Sequence, residues 1–373
     1  MKSILIFFCS VFCFFASAQD YYLFVGTYTH TDSKGIYVYK FNAKKGKLTE
    51  VTNTEKTVVN PSFLTVTQDG NYVYACTDTK TDTSGSVSAF SFDKIKGKLT
   101  FLNKERSNGA NPVYITLHNK NKFIINSNYT GSNITVYGIN NDGSIKPVSM
   151  ELQLSGKSIN KERQEKAHPH SVVFSPDYNY FVVPDLGSDM IRTYPFNADN
   201  EEPLNPNPPQ LGYVVPGSGP RHITFHPNGK FAYCIEELSG TVQAYTFNRG
   251  KLDTLQRVLI HTTDTKGPYS ASDIHISPDG KFLYAANRGK ENNIAIFSIN
   301  ENGKLTHVAY QSTLGEIPRN FTIDPTGNYL LVANQVSGNI VVFKRNQKTG
   351  KLKATGKQIK VPMPSCLQMV GAG

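Results

Sequence analysis

Apolar positions along the chain fall in short, strand-length runs that recur in a fixed order. The segment from Asn60, NPSFLTVTQDGNYVYACTD, gives Pro61, an apolar strand, a turn ending nine residues later in Gly70, and an aromatic strand. The same order restarts at Pro112, Pro169, Pro220 and Pro318, and SASDIHISPDGKFLYAANRG puts Ala271 in the Pro position. Successive starts are 51, 57, 51, 51 and 47 residues apart. Each unit continues with a third run, such as GSVSAFSF from Gly85, SNITVYGI from Ser132, GTVQAYTF from Gly240 or GNIVVFKR from Gly338, and then a fourth. The third and fourth runs are joined by Gly-Lys-Leu or a close variant at Gly46, Gly97, Gly143, Gly250, Gly303 and Gly350. Four strand signals per period of roughly 50 residues predict the blades of a β-propeller, each an antiparallel four-stranded sheet.

Six units have a complete first strand. Residues 22–51 have the later strands and the Gly46 hairpin but no Pro-headed first strand, and Pro364-Ser365-Cys366-Leu367-Gln368-Met369-Val370 at the other end matches Pro61-Ser62-Phe63-Leu64-Thr65-Val66. The expectation is an all-β, seven-bladed propeller closed by pairing a C-terminal strand with N-terminal ones, which leaves no free sheet edge in the ring. Residues 19–373 then form a single domain. Composition agrees: Tyr and Phe are abundant, Gly and Pro punctuate the runs, and only 18% of residues are charged, which excludes intrinsic disorder. The absence of Trp argues against a WD-type repeat.

The N-terminus, MKSILIFFCSVFCFFASAQD, has a positive Lys2, an apolar stretch from Ile4 to Phe15 and an Ala-Ser-Ala cleavage pattern. Residues 1–18 are therefore expected to be a signal peptide, with an exported, periplasmic or secreted, mature chain. That stretch is too short to span a membrane, and no other is long enough. Cys76, Cys234 and Cys366 lie in apolar strand segments and are expected to be unpaired, buried thiols. The formal charge of +10 could suggest a nucleic-acid partner. The hairpin tips at residues 42–48, 93–99, 140–145, 197–204, 249–252, 300–305 and 347–353 hold +6 of it. That places most of the excess on one solvated rim and leaves no reason to invoke nucleic acid.

Antiparallel blades bring two sets of residues to the opposite, upper mouth of the channel: those just after the Pro position and those ending the second strand. The first set is Ser62, Val113, His170, Arg221, Ser272, Arg319 and Ser365, followed by His222, Asp273 and Asn320. The second is Thr77-Asp78, Asn128-Tyr129, Asp185, Glu236-Glu237, Asn287-Arg288 and Asn334-Gln335. Polar groups concentrate on one side, as in a pocket. Interblade ion pairing is the bland alternative for Arg221, Arg288 and Arg319. His168 and His170 share a strand face, so a metal site with His222 is an alternative reading. His226 opens a turn, and His118 and His275 read as structural. Adjacent Glu236 and Glu237 should point to opposite sides.

The segments HPHSVVFSPDYNYFVVPDLGSDMIRTY from His168, GPRHITFHPNGKFAYCIEELSGTV from Gly219 and IPRNFTIDPTGNYLLVANQVSGNIVVF from Ile317 closely resemble the lactonase family of seven-bladed propellers, over essentially the whole mature chain. That family includes the propeller-type 6-phosphogluconolactonase and the carboxy-muconate lactonizing cyclase. The resemblance implies a catalytic His, Arg, Glu and Arg, which fall on His170, Arg221, Glu237 and Arg288, with Arg319 competing for the last place. It also implies a small-molecule lactone substrate and no cofactor. Lactone hydrolysis needs a base for water, an acid for the leaving alkoxide and cations facing the oxyanion. His170 or Glu237 suits the base and Arg221 the oxyanion. Arg288 or Arg319 suits a substrate carboxylate or phosphate. Arg319, His222, Asp273, Asn320, Gln335 and His168 are the expected substrate-binding residues. No metal is needed, and no Gly-x-Ser-x-Gly elbow supports a covalent serine route. The expected protein is a monomeric hydrolase of a sugar-type lactone. A lactonizing cycloisomerase and a non-catalytic binding propeller are the alternatives.

Overall fold

The computed structural model describes residues 20–81, 83–205 and 208–373. The expected signal peptide, residues 1–18, lies outside them, as does Gln19. The described residues form 28 strands in seven four-stranded sheets. The innermost strands of blades one to seven are Phe63–Val66, Pro112–Leu117, Val173–Phe174, Pro220–Phe225, Ala271–Ile276, Pro318–Ile323 and Pro364–Gly371. In blade seven the C-terminal strand pairs antiparallel with Asp20–Thr27, from Tyr21 opposite Gly371 to Thr27 opposite Pro364. The ring is therefore closed as the sequence predicts.

Each blade is flanked by two others, so its middle strands are covered on both faces. Phe231–Glu236 is buried at every position, whereas the outermost Lys251–Leu259 mixes exposed and covered positions. The core is accordingly spread over the blade interfaces; Leu23 and Val25 of blade seven, for example, pack with Leu331, Ala333 and Val342 of blade six. Cys76, Cys234 and Cys366 are free and buried within these interfaces.

Two local devices repeat. The turn position nine residues after the Pro has a positive φ in Gly70, Gly229, Gly280 and Gly327, but Asn121 and Tyr178 occupy it in blades two and three, a departure from the expected glycine. In several blades the hairpin glycine between the third and fourth strands lies against an aromatic ring of the preceding blade. A Cβ on Gly143 would lie 2.1 Å from the Tyr72 ring and one on Gly303 2.4 Å from Phe231. Both also have φ near +80° (83 and 79), so glycine meets a backbone and a packing demand together.

Candidate active site

The first residues of the inner strands do not follow simple alternation. Pro220 pairs with Glu236 and His222 with Ile235, leaving Arg221 as an extra residue, and equivalent irregularities follow Pro112, Ala271 and Pro318. Such a bulge re-aims side chains. Arg221 and His222 are both buried here, with Arg221 Nη1 3.0 Å from His222 Nε2.

At the upper mouth, a cavity of about 310 Å³ is lined by Lys80, Tyr129, Arg163, His170, Glu237, Arg288 and Arg319, with Asn111 and Val113. Below it the channel narrows to a neck of about 10 Å³ bordered by Ser62, Phe63, Val113, His170, Arg221, His222, Arg319 and Ser365. The structure thus brings His170, Arg221, Glu237, Arg288 and Arg319 together. Glu237 is the electrostatic hub. Its Oε1 accepts from Arg163 Nη2 at 2.8 Å and its Oε2 from Arg221 Nε at 3.0 Å, with Arg288 Nη2 3.2 Å away. Burial would raise the Glu237 pKa, but the charges of Arg288, Arg221 and Arg163 outweigh it and hold the carboxyl down to about 2. Ion pairing therefore accounts for Arg221 and Arg288. Arg221 also donates to the Ser272 carbonyl, and burial followed by the Arg288 charge lowers its pKa.

His170 is buried, and its Nδ1 has no hydrogen-bond partner among the described residues. Desolvation, then the charges of Arg221, His222 and Arg319, push its pKa well below the usual imidazole value, so it is neutral at physiological pH. Arg319 is half-buried and pairs with no carboxylate among the described residues; its Nη2 donates to the Tyr28 hydroxyl at 3.0 Å, and its guanidinium lies 5.3 Å from the centre of that ring. Lys80 Nζ lies 4.9 Å from the same ring centre. Four cations line the cavity against one carboxylate, which favours an anionic ligand.

The other expected binding residues lie elsewhere. His222, Asp273 and Asn320 sit one layer below, along a second cavity of about 270 Å³ at the lower mouth that is also lined by Phe63 and Tyr114. Asp273 Oδ1 lies 2.8 Å from His222 Nδ1, and its Oδ2 accepts from Asn320 Nδ2 at 2.6 Å and from His275 Nε2 at 2.9 Å. Burial would raise the Asp273 pKa, but the two imidazoles reverse this and hold it far below the carboxylate range. His222, desolvated and beside Arg221, is lowered to about 4. These groups buttress Arg221 from below. His168 stacks on Tyr129 at 4.4 Å and places its ring nitrogens against the Tyr129 carbonyl and Glu165, so it does not join His170 and His222. Gln335, at the end of a second strand, is not among the residues lining the upper cavity. Among the described residues no three His, Cys, Asp or Glu side chains are grouped to hold a metal ion. Glu236 points away from Glu237, to Thr241 and Arg257.

Sequence reasoning missed Arg163, Lys80 and Tyr28. Arg163 belongs to the connection between blades two and three, and its one sequence signal is the 57-residue spacing between Pro112 and Pro169, the widest of the set. Lys80 and Tyr28 lie just beyond second strands, on upper-rim loops outside the repeat.

The fold and site define a seven-bladed propeller with a cationic pocket at one mouth, built around a neutral histidine. The sequence matches the family described as lactonase, 7-bladed beta-propeller over residues 22–369, and the chain belongs to that family. It is 41% identical over 352 residues to the 6-phosphogluconolactonase of Formosa agariphila, covering 93% of this chain and 99% of the relative. It is 36% identical to the 6-phosphogluconolactonase of Bacillus subtilis, covering 93% and 97%. The solved structure of the periplasmic gluconolactonase of Pseudomonas aeruginosa superposes with a TM-score of 0.88 at 33% identity, covering 95% of this chain and all of that one.

Proposed function

We propose that the protein hydrolyses a sugar-type lactone at the upper mouth. The observation that carries this reading is the neutral His170 bordering an open cationic cavity beside Arg221 and Arg319. The names of the relatives, 6-phosphogluconolactonase and gluconolactonase, support a sugar lactone.

The residues divide the work by their electrostatics. Glu237, held by three guanidinium groups at a pKa of about 2, is too weak a base to take a proton from water and serves to position the arginines. His170 has the free lone pair. It takes a proton from water as the oxygen attacks the lactone carbonyl carbon, and the carbonyl electron pair moves onto oxygen facing Arg221. When the tetrahedral intermediate collapses, the carbonyl re-forms, the ring C–O bond breaks and the protonated His170 returns its proton to the departing alkoxide. The product is the open hydroxy acid. Arg319 and Lys80, which have no carboxylate partner among the described residues, receive an anionic substituent of the substrate, phosphate or carboxylate.

Export through residues 1–18 and a monomeric state belong to the same proposal, and the periplasmic Pseudomonas aeruginosa relative supports the first. Acid release from gluconolactone, 6-phosphogluconolactone and carboxy-muconolactone tests the activity. Turnover of a sugar lactone that falls at least about 100-fold in Arg221→Ala supports it. Turnover of the muconate alone would replace it with the cycloisomerase reading, and no turnover with tight capture of a glycan or protein would favour a binding propeller.

A further inference from the structure

The excess positive charge is not spread evenly around the lower face. The hairpin tips of blades six, seven and one, residues 347–353, 42–48 and 93–99, carry +3, +3 and +2, a total of +8, whereas the other four tips total −2. The three blades are consecutive in the ring, and contacts tie their tips together. Lys357 Nζ of blade six donates to the Lys45 carbonyl of blade seven, and a Cβ on Gly97 of blade one would lie 2.8 Å from Val51 of blade seven. Lys44, Lys45, Lys47, Lys348, Lys351 and Lys353 are exposed, and no ion pair with a carboxylate involves any of them among the described residues. Of the nearby acids, Asp324 is buried, Asp69 sits in a turn, Asp20 is paired with Lys40 at 3.0 Å, and Asp93 accepts from the backbone N–H groups of Ile95 and Lys96 at 3.0 and 2.9 Å; Glu50 of blade seven is exposed and offsets one of the eight charges.

A second observation lies on the same rim. Ile95, between Lys94 and Lys96 at the tip of blade one, is 99% exposed, while the other large exposed hydrophobics are between 46% and 69%. A buried site would not leave such a side chain in water, and Asp93 fixes the turn that presents it. An apolar tip flanked by lysines on a flat cationic rim matches an anionic bilayer, where lysines meet phosphate headgroups and one aliphatic side chain enters the acyl boundary.

We propose that blades six, seven and one dock the propeller on an anionic lipid surface through this rim, with Ile95 inserted. The rim lies on the face opposite the cationic pocket, so docking leaves the upper mouth open to soluble substrate. The test is co-sedimentation of the chain from Gln19, which holds all 28 strands of the closed ring, with vesicles of phosphatidylcholine alone or with about 30% phosphatidylglycerol. Binding to the anionic vesicles only, weakened at least about tenfold between roughly 0.1 and 0.5 M salt, is expected. The triple variant Lys348→Gln, Lys351→Gln, Lys353→Gln should lose at least about fivefold in partitioning and Ile95→Ser about threefold, with Lys251→Gln on blade four unchanged and melting temperatures preserved in all three. Equal binding to neutral vesicles, no binding, wild-type partitioning in both rim variants, or capture by soluble heparin without vesicle binding would overturn the proposal.

Discussion

His170 and Glu237 border the same cavity under opposite fields. The imidazole is surrounded by cations and desolvated, so it stays unprotonated below its usual 6.5. As the base of the free enzyme it predicts that kcat/KM is flat from about pH 8 to 6.5 and falls only at lower pH, with His170→Asn costing at least about 100-fold. An acid limb above the ordinary imidazole value would contradict that assignment. Glu237→Gln should also cost about 100-fold, because it releases three arginines at once. Arg163→Gln, which frees one oxygen of Glu237, should mainly raise KM for an anionic lactone, by about tenfold, with kcat within about threefold. His222 has a consequence for stability. Its folded pKa of about 4 lies below the value near 6.5 of an unfolded imidazole, so the unfolded chain binds the proton first as pH falls. Its contribution is complete above about 6.5 and is lost progressively toward 4. Melting temperature should fall across that window, and His222→Gln should flatten the slope, which thermal melts at stepped pH would measure. Most of these residues were legible because the repeat aligns chemically unlike side chains at one structural position: His170, Arg221 and Arg319 each follow a Pro of the repeat, Pro169, Pro220 and Pro318. Arg163 was not, because a side chain that reaches the site from a connection has no counterpart in other blades. The layering of His222, Asp273 and Asn320 toward the lower cavity was not legible, since a bulge is invisible to a period-two reading.

Among the elements, the hairpin glycines join neighbouring blades. Gly229 also has a positive φ (72), but nothing lies within 4 Å of a Cβ placed there, whereas Gly143 faces the Tyr72 ring at 2.1 Å. Gly229→Ala should therefore cost only the left-handed backbone penalty, about 1 kcal/mol, and Gly143→Ala at least about 2 kcal/mol more from overpacking. Urea unfolding curves of the two variants would show the difference, and equal midpoints would contradict this role for Tyr72. The sequence showed that glycine was needed at both places. It did not separate the backbone reason from the packing reason, because the ring that presses on Gly143 belongs to another blade.

For the whole molecule, the decisive element is the strand Pro364–Gly371, which supplies the inner edge of blade seven and bridges the chain ends. Deleting residues after 363 should abolish the cooperative melt, since it exposes Leu23 and Val25 and opens the ring. A truncated chain that melts like the full one would contradict closure as the source of stability. Closure was legible because the C-terminal segment repeats the Pro61 strand while the N-terminal unit lacks one. The uneven lower rim was not, since summing charge over all seven tips concealed the contrast between three consecutive basic blades and the rest. The central claim, that the upper mouth opens a lactone through a neutral histidine in a cationic pocket, is tested most directly by kcat/KM for acid release from 6-phosphogluconolactone and gluconolactone in the wild type and His170→Asn. The wild type should turn over a sugar lactone and the variant should lose at least about 100-fold; a rate unchanged by the substitution would rule out His170 as the base.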